Sequence, residues 1–341
     1  MLSTPPSRSA AEAGLRYVTG FGPCIRRIRC GKSFRYVGPD GRPLQDSKRL
    51  ARVRSLVIPP AWTDVWICPS ANGHIQAVGW DARGRKQYRY HARYRQFRDQ
   101  DKFAGMIAFG AMLAKIRSQV EKDLNRHGLP KEKVIAAVVR LLETTFIRVG
   151  NDEYARENDS FGLTTMRDRH VRIDGSRLFF KFRGKSRQDH TIAVADRRLA
   201  RIVKACQDLP GYELFQYVNP AGQVCRIDSS DVNRYIRNVT GRDFTAKDFR
   251  TWAGTILAAR ELCAAGPCPS PSAGKKIMVE ATKRVAQKLG NRPATCRKYY
   301  IHPAILEAYS DGSLFPLMER GEEYAITVIV AEYQQKLAKA A

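Results

Sequence analysis

The chain has 341 residues, of which 43% are hydrophobic. This length favours two domains, and this apolar content supports globular cores, so a wholly disordered protein is not expected. Lysine and arginine number 59 against 33 acidic residues, a formal charge of +26. Such an excess predicts a polyanionic partner, most commonly a nucleic acid. A membrane is not expected, because the sequence has no apolar run that could span a bilayer, no basic amphipathic helix and no lipid anchor.

The cysteines and the N-terminus bear on metals and compartment. The eight cysteines include no CxxC pair and the six histidines are scattered, so we expect no zinc site. The start of the chain lacks the apolar core of a secretory signal. Reduced thiols in a cytoplasmic protein are therefore expected.

Taken in chain order, the N-terminal part of the sequence has few apolar patterns that predict a helix. Residues 1–20 are small and polar, which predicts a loose, flexible tail. Residues 21–97 hold short apolar segments, such as 65–68 and 74–78, between turns rich in glycine and proline. This pattern predicts a small, mostly antiparallel β domain. Residues 98–103 are polar and without a period, so we expect a linker there.

Basic and aromatic residues alternate near the end of this β domain. The aromatic members are Tyr88, Tyr90, Tyr94 and Phe97. The basic members are Arg83, Arg85, Lys86, Arg89, Arg93, Arg95 and Arg98. Cations with aromatic rings between them suit contacts to phosphates and to bases or sugars. A solvated strand edge explains the same stretch equally well.

From residue 104 onward the apolar residues recur with the period of helices, which are predicted over 106–124, 131–149 and 275–289, among others. A β insert interrupts them, with a hairpin signal at Asp174-Gly175 and a second turn at 183–186. Lys185 lies at the tip of that second turn, and residues 266–274 are expected to form a loop. Residues 104–341 therefore predict a mainly α domain with a short β-hairpin sheet, and the whole chain an α+β protein.

The stretch 290–303 contains a tyrosine, Tyr300, that could attack a phosphodiester. A phenol has a pKa near 10, so a nucleophilic tyrosine needs cations that favour the phenolate and bind the pentacoordinate phosphate. Arginine suits the phosphate because its planar fork donates two hydrogen bonds. A proton donor must also serve the leaving 5′ oxygen.

Four residues elsewhere could supply these groups: Arg148 at the end of a predicted helix, Lys185 at the hairpin tip, Arg250 early in a helix, and Asn291 after Gly290. Taken singly, each has a commoner explanation. A helix-terminal arginine often contacts backbone carbonyls, and turn lysines, surface arginines and helix-stop asparagines are frequent.

Taken together and in order, these segments resemble the poxvirus-type type IB DNA topoisomerases of bacteria and viruses. The matching segments cover nearly the whole chain. They are Phe146-Ile147-Arg148-Val149-Gly150-Asn151-Asp152-Glu153-Tyr154, Phe161-Gly162-Leu163-Thr164-Thr165, Phe182-Arg183-Gly184-Lys185, Lys247-Asp248-Phe249-Arg250-Thr251-Trp252, Leu289-Gly290-Asn291 and Tyr300-Ile301-His302-Pro303.

The resemblance implies a role for each catalytic residue. Tyr300 would be the nucleophile that forms a 3′-phosphotyrosyl bond and releases a 5′ hydroxyl. Arg148 and Arg250 would bind the non-bridging phosphate oxygens. Lys185 would be the general acid for the leaving oxygen, and Arg148 would assist it.

Other residues are implied to support catalysis or DNA binding. Asn291 stands where viral and nuclear relatives have a histidine and where bacterial members have asparagine, so it would donate a hydrogen bond without titrating. Lys247 resembles the lysine of the family's K-x-x-R element. Gln87, Tyr88 and Tyr90 match the family's major-groove contacts, which favours DNA binding over the solvated-edge interpretation of this stretch.

The resemblance also implies how the protein works. A monomer would close its two domains as a clamp around duplex DNA, cut one strand, let it rotate and reseal it. The phosphotyrosine conserves the bond energy, so neither ATP nor a metal or other cofactor would be needed. The sequence has no Walker-type phosphate loop and no acidic metal cluster. Such an enzyme would be associated with the nucleoid.

Alternatives remain open at this point. A tyrosine recombinase shares the nucleophile, although it usually has a His-x-x-Arg element where this chain has Lys247. A non-enzymatic, basic nucleic-acid-binding protein is a third possibility. Tyr299 competes as nucleophile, but neighbouring helix residues point about 100° apart, so only one can face the phosphate. The motif selects Tyr300, and His302 is expected to be structural.

Overall fold

A computed structural model describes residues 6–20, 22–31, 33–82, 84–100, 103 and 105–340. These residues separate into two compact units, which divide after residue 104. The first unit carries a sheet with flanking helices, and the second is mainly helical. The α+β class predicted from the sequence is confirmed.

The first unit is built on a five-stranded antiparallel sheet with strand order β2-β1-β3-β4-β5. Its strands are β1 (Ile25–Cys30), β2 (Ser33–Val37), β3 (Thr63–Ile67), β4 (Ile75–Trp80) and β5 (Lys86–Tyr90). Its helices are α1 (Pro6–Glu12), α2 (Ser47–Ser55) and α3 (Ala92–Gln100). Helix α2 packs its buried Val53 into a core with Ile25, Ile67 and Ala77 from the sheet. Burial of this apolar face fixes the strand register, because a slip by one residue would turn it to solvent.

Residues 6–20 differ from the predicted flexible tail. Helix α1 lies there, and Ala10 and Leu15 are buried against Tyr94 of α3. The backbone N–H of Val18 donates to Nδ1 of His74 at 3.1 Å. Two apolar residues in a polar segment are too weak a pattern to predict this packing. The segment was expected to be loose because its tertiary contact with α3 cannot be read from the local sequence.

The predicted linker also begins inside regular structure. Helix α3 continues to Gln100, so residues 98–100 of the expected linker are helical. Residues 101 and 102 lie outside the described part of the chain. Polarity alone therefore did not mark the end of an element here.

The second unit contains eleven α-helices and two small sheets among its described residues. The helices are α4 (Met106–Leu124), α5 (Lys131–Thr145), α6 (Asp152–Asn158), α7 (Arg197–Gln207), α8 (Ser229–Thr240), α9 (Ala246–Ala264), α10 (Pro271–Lys288), α11 (Pro293–Tyr299), α12 (Pro303–Asp311), α13 (Leu314–Glu319) and α14 (Glu322–Ala340). The sheets are β6 (Val171–Asp174), β7 (Arg177–Gly184) and β8 (Gln188–Ala195), in that order, and the pair β9 (Gln216–Val218) and β10 (Val224–Arg226).

Helix α9 lies in the core of the second unit. Its start is capped, because the N–H of Thr245 donates to Oδ2 of Asp248 at 2.8 Å. The helix packs closely against α4: a Cβ at Gly110 would lie 2.4 Å from the ring of Trp252. This close approach holds the first turns of α9 in place, and Arg250 lies there.

Three helix boundaries differ from the predicted ones. Helix α5 ends at Thr145 and not at 149, because Phe146 takes a left-handed conformation with φ of 60°. Helix α10 begins at Pro271, inside the predicted loop 266–274, where the Ser270 side chain accepts a hydrogen bond from the N–H of Ala273. Helix α11 ends at Tyr299, so Tyr300 caps it.

Within the described part of the chain, no helix combines the length and apolar character needed to cross a bilayer.

Candidate active site

A cavity of about 310 Å³ in the second unit brings together residues that are far apart in the sequence. It is lined by Arg148, Val149, Gly150, Asn151, Ser160, Phe161, Lys185, Ala246, Lys247, Arg250 and Tyr300. Four of the five predicted catalytic residues are in this set, together with Lys247. The fifth, Asn291, is connected to the cavity through Arg148.

Arg250 projects from α9 and is only 4% exposed. Its Nη1 donates to the carbonyl of Phe146, and its Nη2 donates to the carbonyl of Leu289 at 2.7 Å. Its Nε is buried and has no partner among the described residues. This arginine is thus no surface residue: two helix ends hold its guanidinium in one orientation and leave a donor unused.

Arg148 lies in the segment that follows the left-handed turn at Phe146. Its Nη2 donates to the carbonyl of Gly290 at 3.0 Å and to Oδ1 of Asn291. Burial and the charge of Arg250 lower the pKa of Arg148 to about 10, and Tyr300 opposes this shift. The side chain therefore stays charged at neutral pH, and the pair of guanidiniums favours an anion in the cavity.

The backbone around Arg148 is held by the Phe161 to Thr165 motif. The N–H of Leu163 donates to the carbonyl of Arg148 at 2.9 Å, and that of Thr164 donates to Val149 at 2.7 Å. A Cβ at Gly162 would lie 2.6 Å from the carbonyl oxygen of Arg148. Glycine at this position is therefore required for the two segments to lie side by side.

Asn291 follows Gly290, whose φ of +58° ends α10. Its backbone N–H donates to the carbonyl of Ala286 at 2.8 Å. Its side-chain Oδ1 accepts from Arg148, and its buried Nδ2 has no partner among the described residues. The amide thus presents one unused donor beside Arg148.

Tyr300 is half-buried and is fixed by its backbone. Its N–H donates to the carbonyl of Cys296 at 2.9 Å, and its own carbonyl accepts from Oγ1 of Thr255 at 3.2 Å. A Cβ at Gly254 would lie 2.5 Å from that carbonyl, so α9 approaches Tyr300 closely only because this residue is glycine. The guanidinium carbon of Arg250 lies 5.3 Å from the centre of the Tyr300 ring.

The neighbouring Tyr299 is placed differently. It is 37% exposed and does not line the cavity, and Nζ of Lys298 lies 5.3 Å from the centre of its ring. The two tyrosines are separated because Tyr300 has left the helix, with φ of −135° and ψ of −12°. The two tyrosine side chains were expected to point apart because they follow each other in one helix. In the structure they are separated because the helix ends at Tyr299.

Two lysines reach the cavity from exposed positions. Lys185 begins the one-turn 3₁₀ segment Lys185–Arg187 that joins β7 to β8. The two strands are paired up to Gly184 and Gln188, so the turn rests on a regular ladder. Lys247 lies in the first turn of α9, three residues before Arg250. Both ammonium groups belong to elements that are rigid at their base.

One residue near the cavity was missed in the sequence. His190 on β8 stacks on Phe182 with ring centres 4.9 Å apart and an interplanar angle of 12°. Burial, Arg148 and Arg250 lower the pKa of His190, and Asp189 opposes the shift. The sequence carried only an indirect sign of it, the glycines Gly184 and Gly290, which in the structure leave room for the ring.

The predicted DNA contacts of the first unit lie on or beside β5. Tyr88 and Tyr90 point to the same face, are 41% and 39% exposed, and stack with ring centres 5.9 Å apart. Nζ of Lys86 lies 5.6 Å from the Trp80 ring and 5.7 Å from the Tyr88 ring. This surface has the cation and aromatic character that the sequence predicted.

The remaining predicted contacts differ among themselves. Arg85 forms an ion pair with Asp81 at 2.6 Å, and Nε2 of Gln87 donates to the same carboxylate at 3.0 Å. Arg83 lies outside the described residues. The exposed tyrosine pair therefore lies on β5, whereas Arg85, which is ion-paired within the unit, lies just before that strand.

In the described part of the chain, no group of three or more His, Cys, Asp or Glu side chains is placed to hold a metal ion.

Comparisons with known protein families match both units. The model of the eukaryotic DNA topoisomerase I catalytic core matches residues 91–314, and that of the bacterial DNA topoisomerase IB N-terminal domain matches residues 33–81. DNA topoisomerase 1B of Acanthamoeba polyphaga mimivirus is 30% identical over 306 residues, 88% of this chain and 91% of the viral one.

Poxvirus proteins are also similar to the chain. DNA topoisomerase I of Monkeypox virus and DNA topoisomerase 1B of Vaccinia virus (strain Copenhagen) are each 25% identical over 251 residues. Each match spans 71% of this chain and 75% of the viral protein. Among solved structures, the XerH site-specific recombinase bound to its difH substrate aligns with 56% of this chain and 49% of its own, at 14% identity and a TM-score of 0.36. That similarity is too low to bear on function.

Proposed function

The chain belongs to the type IB DNA topoisomerase family, and we propose that it relaxes supercoiled duplex DNA by cutting one strand with Tyr300 and resealing it. The observation that carries this proposal is the cavity that Arg148, Lys185, Arg250 and Tyr300 line together. A tyrosine beside the buried Arg250 and the half-buried Arg148 is poised to attack a phosphodiester, since the arginines favour both the phenolate and the charge of the transition state.

The phosphate would bind between the two arginines. The unused donors there are Nε of Arg250 and Nδ2 of Asn291. A buried donor without a partner is unfavourable by about 1–3 kcal/mol, so a ligand oxygen that accepts from it is stabilised. Both donors belong to groups whose orientation is already fixed by backbone carbonyls or by Arg148. This arrangement favours a pentacoordinate phosphate without rearrangement of the protein.

The covalent step exchanges one phosphate ester for another. The Tyr300 oxygen forms a bond to phosphorus as its phenolic proton passes to solvent, and the bond from phosphorus to the 5′ oxygen breaks. Lys185 gives a proton to that oxygen, which leaves as a hydroxyl. The 3′-phosphotyrosyl bond keeps the energy of the broken ester, so the reverse attack by the 5′ hydroxyl reseals the strand without ATP.

The first unit would hold the duplex. Its exposed Tyr88 and Tyr90, with Lys86 beside them, suit contacts to a groove and its phosphates. Gln87 and Arg85 share Asp81, so they would contact DNA only by exchanging that carboxylate for a phosphate or base. We propose that both units engage one duplex as a clamp, with Arg83 and Lys247 adding contacts, in a monomer that acts on chromosomal DNA in the cytoplasm.

The test is relaxation of a supercoiled plasmid in EDTA without ATP, together with trapping of the covalent adduct on a nicked suicide duplex. We expect the wild-type protein to relax the plasmid and to form the adduct on Tyr300. Tyr300→Phe should do neither, because it removes the attacking oxygen, while it still binds duplex. Tyr299→Phe is the matched control and should keep both activities. Relaxation by Tyr300→Phe, or an adduct mapped to another residue, would refute the assignment.

A further inference from the structure

His190 lies near the cavity, on the face of β8 that also carries Ile192 and Val194. Its ring is half-buried and stacked on Phe182 of the paired strand β7. It lines a small pocket with Arg148, Arg250 and Lys288. The mechanism proposed above gives this residue no part.

The imidazole contacts the backbone at two glycines. A Cβ at Gly184 would lie 2.7 Å from Cδ2 and Nε2 of His190. A Cβ at Gly290 would lie 2.3 Å from Cε1 of the same ring. Real Cβ atoms do not approach that closely, so the ring is seated directly on both α-carbons. Gly184 precedes Lys185, and Gly290 precedes Asn291, so one side chain separates the two turns that carry these residues.

The charges around the ring favour its neutral form. Arg148 and Arg250 face it from the loop after α5 and from α9, and Lys288 lines the same space from the end of α10. Asp189 on β8 is the only opposing charge that acts on it among the described groups. An uncharged, flat ring can therefore fill a space between backbone atoms where a third cation would be repelled.

We propose that the neutral imidazole of His190 is a positioning residue, which sets the distance from the Lys185 turn to the Gly290–Asn291 turn. The phosphate is held on the Asn291 side by Arg148 and Asn291, whereas the proton donor comes from the Lys185 side. The ring that separates the two turns thus places the ammonium group at the leaving oxygen. This inference rests on the proposed function, in particular on Lys185 as the general acid.

The test compares two leaving groups in single-turnover cleavage of a suicide duplex. One substrate has the natural 5′ oxygen, and the other has a bridging 5′ sulfur, which leaves without protonation. We expect His190→Ala to slow cleavage of the oxygen substrate about 10- to 100-fold, the scale of a misplaced catalytic group. Cleavage of the sulfur substrate should be slowed at most about twofold, because misplacement of the acid no longer matters.

Two further variants define the outcome. His190→Ala combined with Lys185→Ala should cleave the oxygen substrate no more slowly than Lys185→Ala alone, since the histidine acts through the lysine. Val194→Ala, on the same face of β8 four residues away, should cleave both substrates like wild type. Equal losses on both substrates, or additive losses in the double variant, would overturn the role of His190.

Failure of the proposed function gives a different result. If Lys185→Ala is slow on the sulfur substrate as well, Lys185 is not the acid and the proposed mechanism fails. If Lys185→Ala is rescued by sulfur and His190→Ala is not, the mechanism stands and only the inference about His190 is wrong.

Discussion

The cavity of the second unit and the β5 surface of the first both carry positive charge, but they hold it in different ways. In the cavity, Arg250 is 4% exposed and donates to two backbone carbonyls, and Arg148 donates to a carbonyl and to Asn291. On β5, Lys86 lies over the rings of Trp80 and Tyr88, and that tyrosine is 41% exposed.

This difference indicates that the cavity acts on the reacting phosphate and the β5 surface contributes to DNA affinity. Arginines held in a fixed orientation inside a cavity act on a phosphate only where it lies between them, and they are less screened by salt than surface charges. Cations on an open surface act on any phosphate nearby, and their contribution to affinity falls as salt rises. If so, substitutions in the cavity should change the rate of cleavage with little effect on DNA affinity, and substitutions on β5 should do the reverse.

The largest effect of substitution among the cavity's charged groups is expected for Arg250→Lys. The charge is kept, but lysine has a single side-chain nitrogen. It cannot replace the donors that bind the carbonyls of Phe146 and Leu289 and also the Nε donor that arginine offers to a phosphate. Adduct formation on a suicide duplex should fall about 10²- to 10³-fold, the scale of a lost transition-state donor. Duplex affinity, measured by fluorescence anisotropy, should change less than about threefold.

A cleavage rate close to wild type in Arg250→Lys would show that charge alone suffices and would remove the contrast with β5. Thermal unfolding serves as the control, because loss of folding would lower cleavage for a trivial reason.

A smaller loss is expected for Asn291→Asp. The carboxylate would accept from Arg148 as the amide oxygen does, but it would neutralise that arginine and repel the phosphate. The unused Nδ2 donor would also disappear. We expect adduct formation to fall about 100-fold in gel assays at neutral pH. Asn291→His, which restores a donor, should retain more activity than Asn291→Asp, and the opposite order would argue against a donor role.

The smallest effect is expected on β5, in the salt dependence of binding. Lys86→Ala should weaken duplex binding a few-fold at low salt and reduce the slope of log K against log salt by about 1. The rate of adduct formation at saturating DNA should be unchanged. Arg85→Ala is the matched control: Asp81 already neutralises Arg85, so the slope should change less. A larger change in slope for Arg85→Ala than for Lys86→Ala would reverse the assignment of these two cations.

Local patterns predicted the types of most elements and failed at some of their ends. The apolar period of α5 continues through Phe146 and Val149, so the sequence predicted a helix to 149, whereas the left-handed conformation of Phe146 ends it at Thr145. That early end turns Arg148 toward Gly290. Residues 6–20 show the converse: a polar segment predicted to be loose is ordered by burial of Ala10 and Leu15.

The sequence by itself determined the family, the α+β class, and which residue types could attack and bind a phosphate, because these follow from composition, period and the order of motifs. Only the tertiary structure decided how those residues are held. Arg250 is fixed by carbonyls 104 and 39 residues away, and His190 is seated against a glycine on another element. Such contacts depend on which backbone segments meet after folding, and no local pattern encodes that meeting.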